Sequence, residues 1–124
     1  MNFFGEQTWM ERLNDLSRAE TREQTFRVGA NVVDCRTGMV QAAGQTQRLR
    51  RKELELLTYL RKCSAPVARE QLLREVWNYS NVVTRTVDQT VATLRRKLND
   101  DSTKPKYLLT VYGIGYQLRT QLES

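Results

Sequence analysis

Arg85-Thr86-Val87-Asp88-Gln89-Thr90-Val91-Ala92-Thr93-Leu94-Arg95-Arg96-Lys97-Leu98 carries two patterns at once. Turned at about 100° per residue, Val87, Val91, Leu94 and Leu98 fall in one narrow stripe, which predicts a helix lying on a hydrophobic core. The opposite side presents Arg85, Gln89, Ala92 and Arg96, with Thr93 beside them. Guanidinium and amide groups match the donors and acceptors on base edges, and small residues let a helix backbone come close. Such a face has the chemistry to enter a DNA major groove. A charged outer face also suits a plain solvated helix, so the flanking sequence has to decide between the two.

Upstream, Asn78-Tyr79-Ser80-Asn81-Val82-Val83-Thr84 is a loop by composition. Before it, residues 68–77 place Leu72, Leu73, Val76 and Trp77 on one side, and residues 51–63 do the same with Leu56, Leu57, Leu60 and Cys63. Both segments are predicted to be helices. Ser64-Ala65-Pro66 ends the earlier one, because proline drives its predecessor out of the helical region. Residues 25–49 differ in texture. Short β-prone runs at 26–28, 31–35, 39–42 and 45–49 are separated by Gly29-Ala30, Arg36-Thr37-Gly38 and Ala43-Gly44, which predicts a four-stranded antiparallel sheet. Downstream, residues 99–105 break the third helix. Residues 107–112 and 116–119, joined through Gly113-Ile114-Gly115, then read as a hairpin whose two glycines allow a tight turn with positive φ.

Sheet, three helices, hairpin: the order predicts an α+β fold, a helix-turn-helix with an N-terminal four-stranded antiparallel sheet, a three-helix core and a C-terminal β-hairpin wing. Residues 25–120 make up this domain and residues 121–124 a short tail. In residues 1–24, Trp9, Met10, Leu13 and Leu16 recur at helical spacing before a polar run, which reads as an N-terminal helix and linker. That helix either packs on the domain or serves as a tether or self-association element.

Composition narrows the function. Apolar residues make up 40% of the 124 and charged residues 27%, an ordinary balance for a globular domain. No apolar run approaches the roughly 20 residues that span a bilayer, and the start lacks the features of a signal peptide. A cytoplasmic location with no membrane contact is the expectation. The net charge of +6 predisposes a small domain to meet polyanions. The basic residues cluster at Arg48-Leu49-Arg50-Arg51-Lys52 and Arg95-Arg96-Lys97, inside predicted structure rather than in a tail. Two cysteines, Cys35 and Cys63, without zinc-type spacing, and no histidine argue against a metal site and against histidine-based catalysis. No glycine-rich phosphate loop appears, so neither an enzyme nor a cofactor is expected.

Four blocks then match one family. Leu49-Arg50-Arg51-Lys52-Glu53-Leu54-Glu55-Leu56-Leu57 resembles the first helix of the OmpR/PhoB-type winged-helix DNA-binding domains of bacterial transcription regulators, many of them two-component response regulators. Residues 69–77 resemble the second helix of that family, residues 85–98 its recognition helix, and Thr110-Val111-Tyr112-Gly113-Ile114-Gly115-Tyr116 its wing. The resemblance covers about residues 25–119, in order and with family-like spacing. It implies a third helix in the major groove and a hairpin reaching the minor groove. The DNA-contact positions it implies are Arg85, Thr90, Ala92, Thr93 and Arg95 in the helix and Thr110 and Tyr112 in the wing. The helical wheel adds Gln89 and Arg96. The resemblance also implies an RNA polymerase contact in the loop Asn78, Tyr79, Ser80, Asn81, Val82 and Val83, and dimerisation on direct-repeat half-sites.

The sequence departs from the family in ways that bear on its chemistry. Ala92, Thr93 and Tyr112 stand where a well-studied relative has arginines, which alters the base sequence read more than the mode of docking. Arg50 stands where the family often has a helix-capping Ser or Thr, and Ala68 takes the corresponding place before the second helix. A missing cap costs about 1 kcal/mol. Arg50 and Arg51 also face the positive end of a helix dipole. They are either phosphate ligands or drift offset by packing. The leading expectation is a sequence-specific regulator of double-stranded DNA. The alternative is a winged-helix protein-interaction module with weak or no specific DNA binding, suggested by the lost arginines.

Overall fold

The computed structural model describes residues 24–120. The amphipathic segment around Trp9–Leu16 and the tail 121–124 lie outside them. Four short strands, β1 (Thr25–Val28), β2 (Asn31–Asp34), β3 (Met39–Ala42) and β4 (Gln45–Arg48), form an antiparallel meander in sequence order. Helix α1 (Arg51–Lys62), strand β5 (Val67–Ala68), helix α2 (Arg69–Trp77) and helix α3 (Thr84–Lys97) follow. Strands β6 (Leu108–Val111) and β7 (Gly115–Leu118) form the hairpin. The second sheet has the order β5-β7-β6, with both pairings antiparallel.

Periodicity explains the elements. Phe26, Val28, Val33 and Val40 are buried from one face of the meander, while every residue of β4 is exposed. On the helices, Leu56, Leu57 and Leu60 meet Leu72, Leu73, Val76 and Trp77 and the α3 stripe Val87, Val91, Leu94 and Leu98. Leu108, Tyr116 and Leu118 close the core from the hairpin. Each fully buried aliphatic side chain contributes roughly 1.5–3 kcal/mol, so this single cluster dominates the driving force.

Buried polar groups then fix how α3 sits. Asn31 Nδ2 donates to Leu98 O at 2.8 Å and to Val28 O at 2.9 Å, tying the meander to the end of α3. Its Oδ1 accepts no hydrogen bond from the described residues. Asp100, also buried, accepts from the backbone N–H groups of Lys106, Tyr107 and Leu108, which pins the start of β6 just beyond α3. Glu53 is buried at the start of α1 and accepts from the Arg50 backbone N–H at 2.8 Å. That is the one half of a capping box open to Arg50, since a guanidinium has no acceptor to offer the helix in return. The same carboxylate oxygen accepts from Lys97 Nζ at 2.7 Å, and Lys97 also donates to Arg48 O. Lys97 is therefore a tether within the fold, although its sequence neighbours place it in a basic cluster.

Strand β5 has no counterpart in the sequence pattern. It is two residues long, directly after Pro66, where a helix stop is the only legible signal. Ala68 precedes α2 without any side-chain cap, and the β5–β7 pairing holds this end of the helix instead. The hairpin turn also differs from expectation. Gly113 takes the positive φ, +80°, but Gly115 lies within β7 and needs to be glycine for another reason. A Cβ there would lie 1.9 Å from Val67 O, so glycine is what lets β5 and β7 approach.

Candidate nucleic-acid interface

Helix α3 has three distinct sides beyond its buried stripe. Arg85, Gln89, Ala92 and Arg96 are exposed on the outermost one. Neither Arg85 nor Arg96 has a carboxylate within ion-pair distance among the described residues. With no such partner, both guanidinium forks can take an outside acceptor. On one flank lie Thr86, Thr90 and Thr93, all half-buried. The Thr90 hydroxyl donates to Thr86 O at 2.9 Å and that of Thr93 to Gln89 O at 3.2 Å. With the protons spent on backbone carbonyls, these two side chains present methyl groups and acceptor lone pairs.

The other flank faces the wing, and here one expected contact residue is turned inward. Arg95, which the resemblance implies as a DNA contact, is drawn into the fold. It is 8% exposed, and its Nε and Nη2 donate to Leu108 O at 3.0 and 2.8 Å. Nη2 also donates to Thr110 Oγ1 at 2.8 Å, and the guanidinium lies 5.9 Å from the centre of the Tyr116 ring. The physical reason is its place on the helix, one step around from Leu94 and against the first residues of β6. Arg95 and Thr110, both expected to contact DNA, hold each other. The Thr110 hydroxyl accepts from Arg95 and keeps its own proton to donate outward.

Asp88, two turns before Arg95, completes this flank. It accepts from Tyr116 Oη at 2.6 Å and from Arg69 Nη1 at 2.8 Å. The Arg69 pair is half-exposed and worth little by itself, but the buried phenol is a different matter. Burial, and then the hydrogen bond to the Asp88 carboxylate, push the Tyr116 hydroxyl from its ordinary 10 up to about 12. The folded state thus holds this proton more tightly than the unfolded chain does. The stabilisation is complete below about pH 10 and is lost as the pH rises towards 12. Denaturation midpoints measured from pH 9 to 12 should fall across that window, and Tyr116→Phe should flatten the fall. An equal slope in both proteins would mean that the Asp88–Tyr116 bond does not link folding to this proton.

The wing tip and the α2–α3 loop are the most exposed apolar regions of the described chain. Tyr112 is 92% exposed and Ile114 55%. In the loop, Asn78, Tyr79 and Asn81 all have φ between +52° and +56°. A tyrosine in that region is uncommon and costs on the order of 1 kcal/mol or more. Backbone bonds from Tyr79 N to Leu73 O at 3.1 Å and from Ser80 N to Trp77 O at 2.9 Å close the turn. Tyr79 and Val83 project outward while Val82 packs on the core.

Asp88, Tyr116, Asp100 and Glu53 organise the site, yet none belongs to the contact set that the sequence suggests. Asp88 has a usable signal, because it falls beside Arg95 on the wheel, between the buried stripe and the open face.

A family model described as "Transcriptional regulatory protein, C terminal" matches residues 44–118. A probable transcriptional regulator of Cyanophora paradoxa is 35% identical over 105 residues, covering 82% of this chain and 44% of that protein. The chain thus spans less than half the length of this curated relative. Among solved structures, the DNA-binding domain of Klebsiella pneumoniae RstA, in complex with the RstA box, is similar with a TM-score of 0.66 at 26% identity. That match covers 79% of this chain and 99% of the other. The Thermotoga maritima response regulator DrrB, an OmpR/PhoB homologue, gives 0.68 at 29% identity over 88% of this chain and 51% of its own. With this fold, this order of blocks and these matches, the chain belongs to the transcriptional regulatory protein C-terminal family, the OmpR/PhoB-type winged-helix domains.

Proposed function

We propose that the chain is a sequence-specific double-stranded DNA-binding module of a transcription regulator. Helix α3 enters the major groove and the wing reaches the neighbouring minor groove. The observation that carries this reading is the α3 outer stripe. There, two guanidinium groups without a carboxylate partner among the described residues surround an amide and an alanine, on a helix whose other sides are held by the fold. Arg85 and Arg96 supply phosphate or guanine contacts. Gln89 and Ala92, with Thr90 and Thr93 on the flank, read base edges. Alanine and the threonine methyls favour thymine methyl groups over a guanine fork. In the wing, Thr110 donates to the backbone and Tyr112 lies along the minor groove. Arg95 acts from behind as the part that positions the wing. That the similar RstA domain is in complex with the RstA box supports DNA as the partner.

The loop Asn78, Tyr79, Ser80, Asn81, Val82 and Val83 is proposed as the RNA polymerase contact, with Tyr79 and Val83 as its apolar points. A single module of this size covers limited DNA, so two copies on direct-repeat half-sites are proposed for tight binding. No described helix is long and apolar enough to cross a membrane.

The test is selection of a random duplex library by the protein, then titration of the best site at several salt concentrations. An enriched repeat bound far more tightly than random duplex is the expected outcome. Arg85→Ala should weaken that site by roughly tenfold or more, while Lys104→Ala, on the exposed turn before β6, should change it by less than about twofold. Equal losses from both would reduce the interaction to generic charge attraction. A second reading, a protein-interaction module, is favoured by Ala92, Thr93 and Tyr112 standing in place of arginines. It would be supported if a partner protein stayed bound to the Arg85→Ala plus Arg96→Ala variant.

A further inference from the structure

The start of α1 lies against the threonine flank of α3, on the opposite side of that helix from the wing. Arg50, Arg51, Thr86, Gln89, Thr90 and Thr93 line one shallow groove there. Arg51 is wide open, with a 92% exposed side chain and a surface pair to Glu55 at 3.1 Å that water largely screens. Arg50 is exposed and has no carboxylate partner among the described residues. Its charge stands at the positive end of α1, in the position where a hydroxyl would cap the helix and an anion would be welcome. The one buried carboxylate of this corner, Glu53, is already neutralised by Lys97. The corner is therefore a cluster of cations kept against the local electrostatics, continuous with the open face of α3.

A helix seated in the major groove, about 12 Å wide, has a sugar-phosphate backbone on each side. The wing accounts for one. We propose that the β4–α1 corner, Arg50 and Arg51, binds the phosphates of the other, so that α3 is straddled from both flanks. This rests on the DNA-binding reading above. The guanidinium pair and its place beside α3 carry the inference, and the partner is the duplex backbone itself. These contacts add affinity without sequence preference.

The test is Arg50→Ser, with Arg50→Lys as its conservative companion, in the full chain. Serine restores an N-cap, so the melting temperature of Arg50→Ser should rise by about 2–5 °C. Affinity for the selected duplex should fall roughly tenfold at about 50 mM salt and only about threefold at 200 mM. That difference is what loss of one phosphate contact does, lowering the log–log salt slope by about 0.9. An unrelated duplex of the same length should lose affinity by a similar factor, and Arg50→Lys should retain the slope. A more stable Arg50→Ser protein with unchanged slope and affinity would overturn the inference and leave the DNA-binding reading standing. Failure of the parent protein to bind any duplex would overturn both.

Discussion

Gly115→Ala should destabilise the domain by about 3–5 kcal/mol. The added Cβ would lie 1.9 Å from Val67 O, 2.8 Å from Val67 C and 2.9 Å from Ala68 Cα. All three are backbone atoms, so no rotamer change relieves the overlap. The strands must separate, and Ala68↔Gly115 is one of only two residue pairs in the β5–β7 ladder. Because β5 runs directly into α2, opening it frees the uncapped start of that helix and the Arg69–Asp88–Tyr116 cluster with it. Domains of this size have total stabilities of roughly 5–15 kcal/mol, so the variant should be largely unfolded under mild urea. Gly113→Ala is the control. A methyl group added there meets nothing within 4 Å, and only the strain of φ +80° applies, about 1–2 kcal/mol. Urea midpoints for the two variants test the ranking. If Gly115→Ala lay within about 0.5 kcal/mol of the parent, the close strand approach could not be what glycine provides here.

Much of this architecture is written in local periodicity. The α3 stripe Val87, Val91, Leu94 and Leu98 is buried as its spacing predicts, and the four β-prone runs pair in order as a meander. Such signals are legible because they depend on neighbours three, four or two positions away. Contacts between distant segments leave no such trace. Gly115 looks like half of a turn until β5 is seen against it. Lys97 and Arg95 look like members of one basic run with Arg96, yet only Arg96 is exposed. The other two turn inward to acceptors 13 to 49 residues away, Leu108 O, Thr110 Oγ1, Arg48 O and Glu53 Oε1. Charge counted along the chain thus overstates the binding face. It also understates how firmly α3 is held, since both ends of the Arg95–Arg96–Lys97 run are anchored.

That anchoring sets the second large effect. Arg95→Ala should lower stability by about 2–4 kcal/mol, because it removes three charge-assisted hydrogen bonds and leaves the Leu108 carbonyl without its guanidinium partner. Arg95→Lys should recover little of it, since a single ammonium cannot reproduce the planar fork that spans Leu108 O and Thr110 Oγ1. DNA binding should suffer in a distinctive way. The spacing between α3 and the wing is fixed by Arg95 from one side and by the Asp88–Tyr116 bond from the other. Loosening the first should reduce affinity for the selected duplex at least tenfold at temperatures where the variant is still folded. Discrimination should fade at base pairs under the wing while those under Gln89 and Ala92 keep theirs. The salt dependence separates this from direct phosphate binding. A ligand of the backbone would lower the log–log slope by about 0.9 and leave the melting temperature nearly unchanged. A buried positioning residue should do the reverse, with a clear drop in melting temperature and a slope close to that of the parent. Finding the first pattern would make Arg95 a direct phosphate contact and require its side chain to swing out of the cleft on binding.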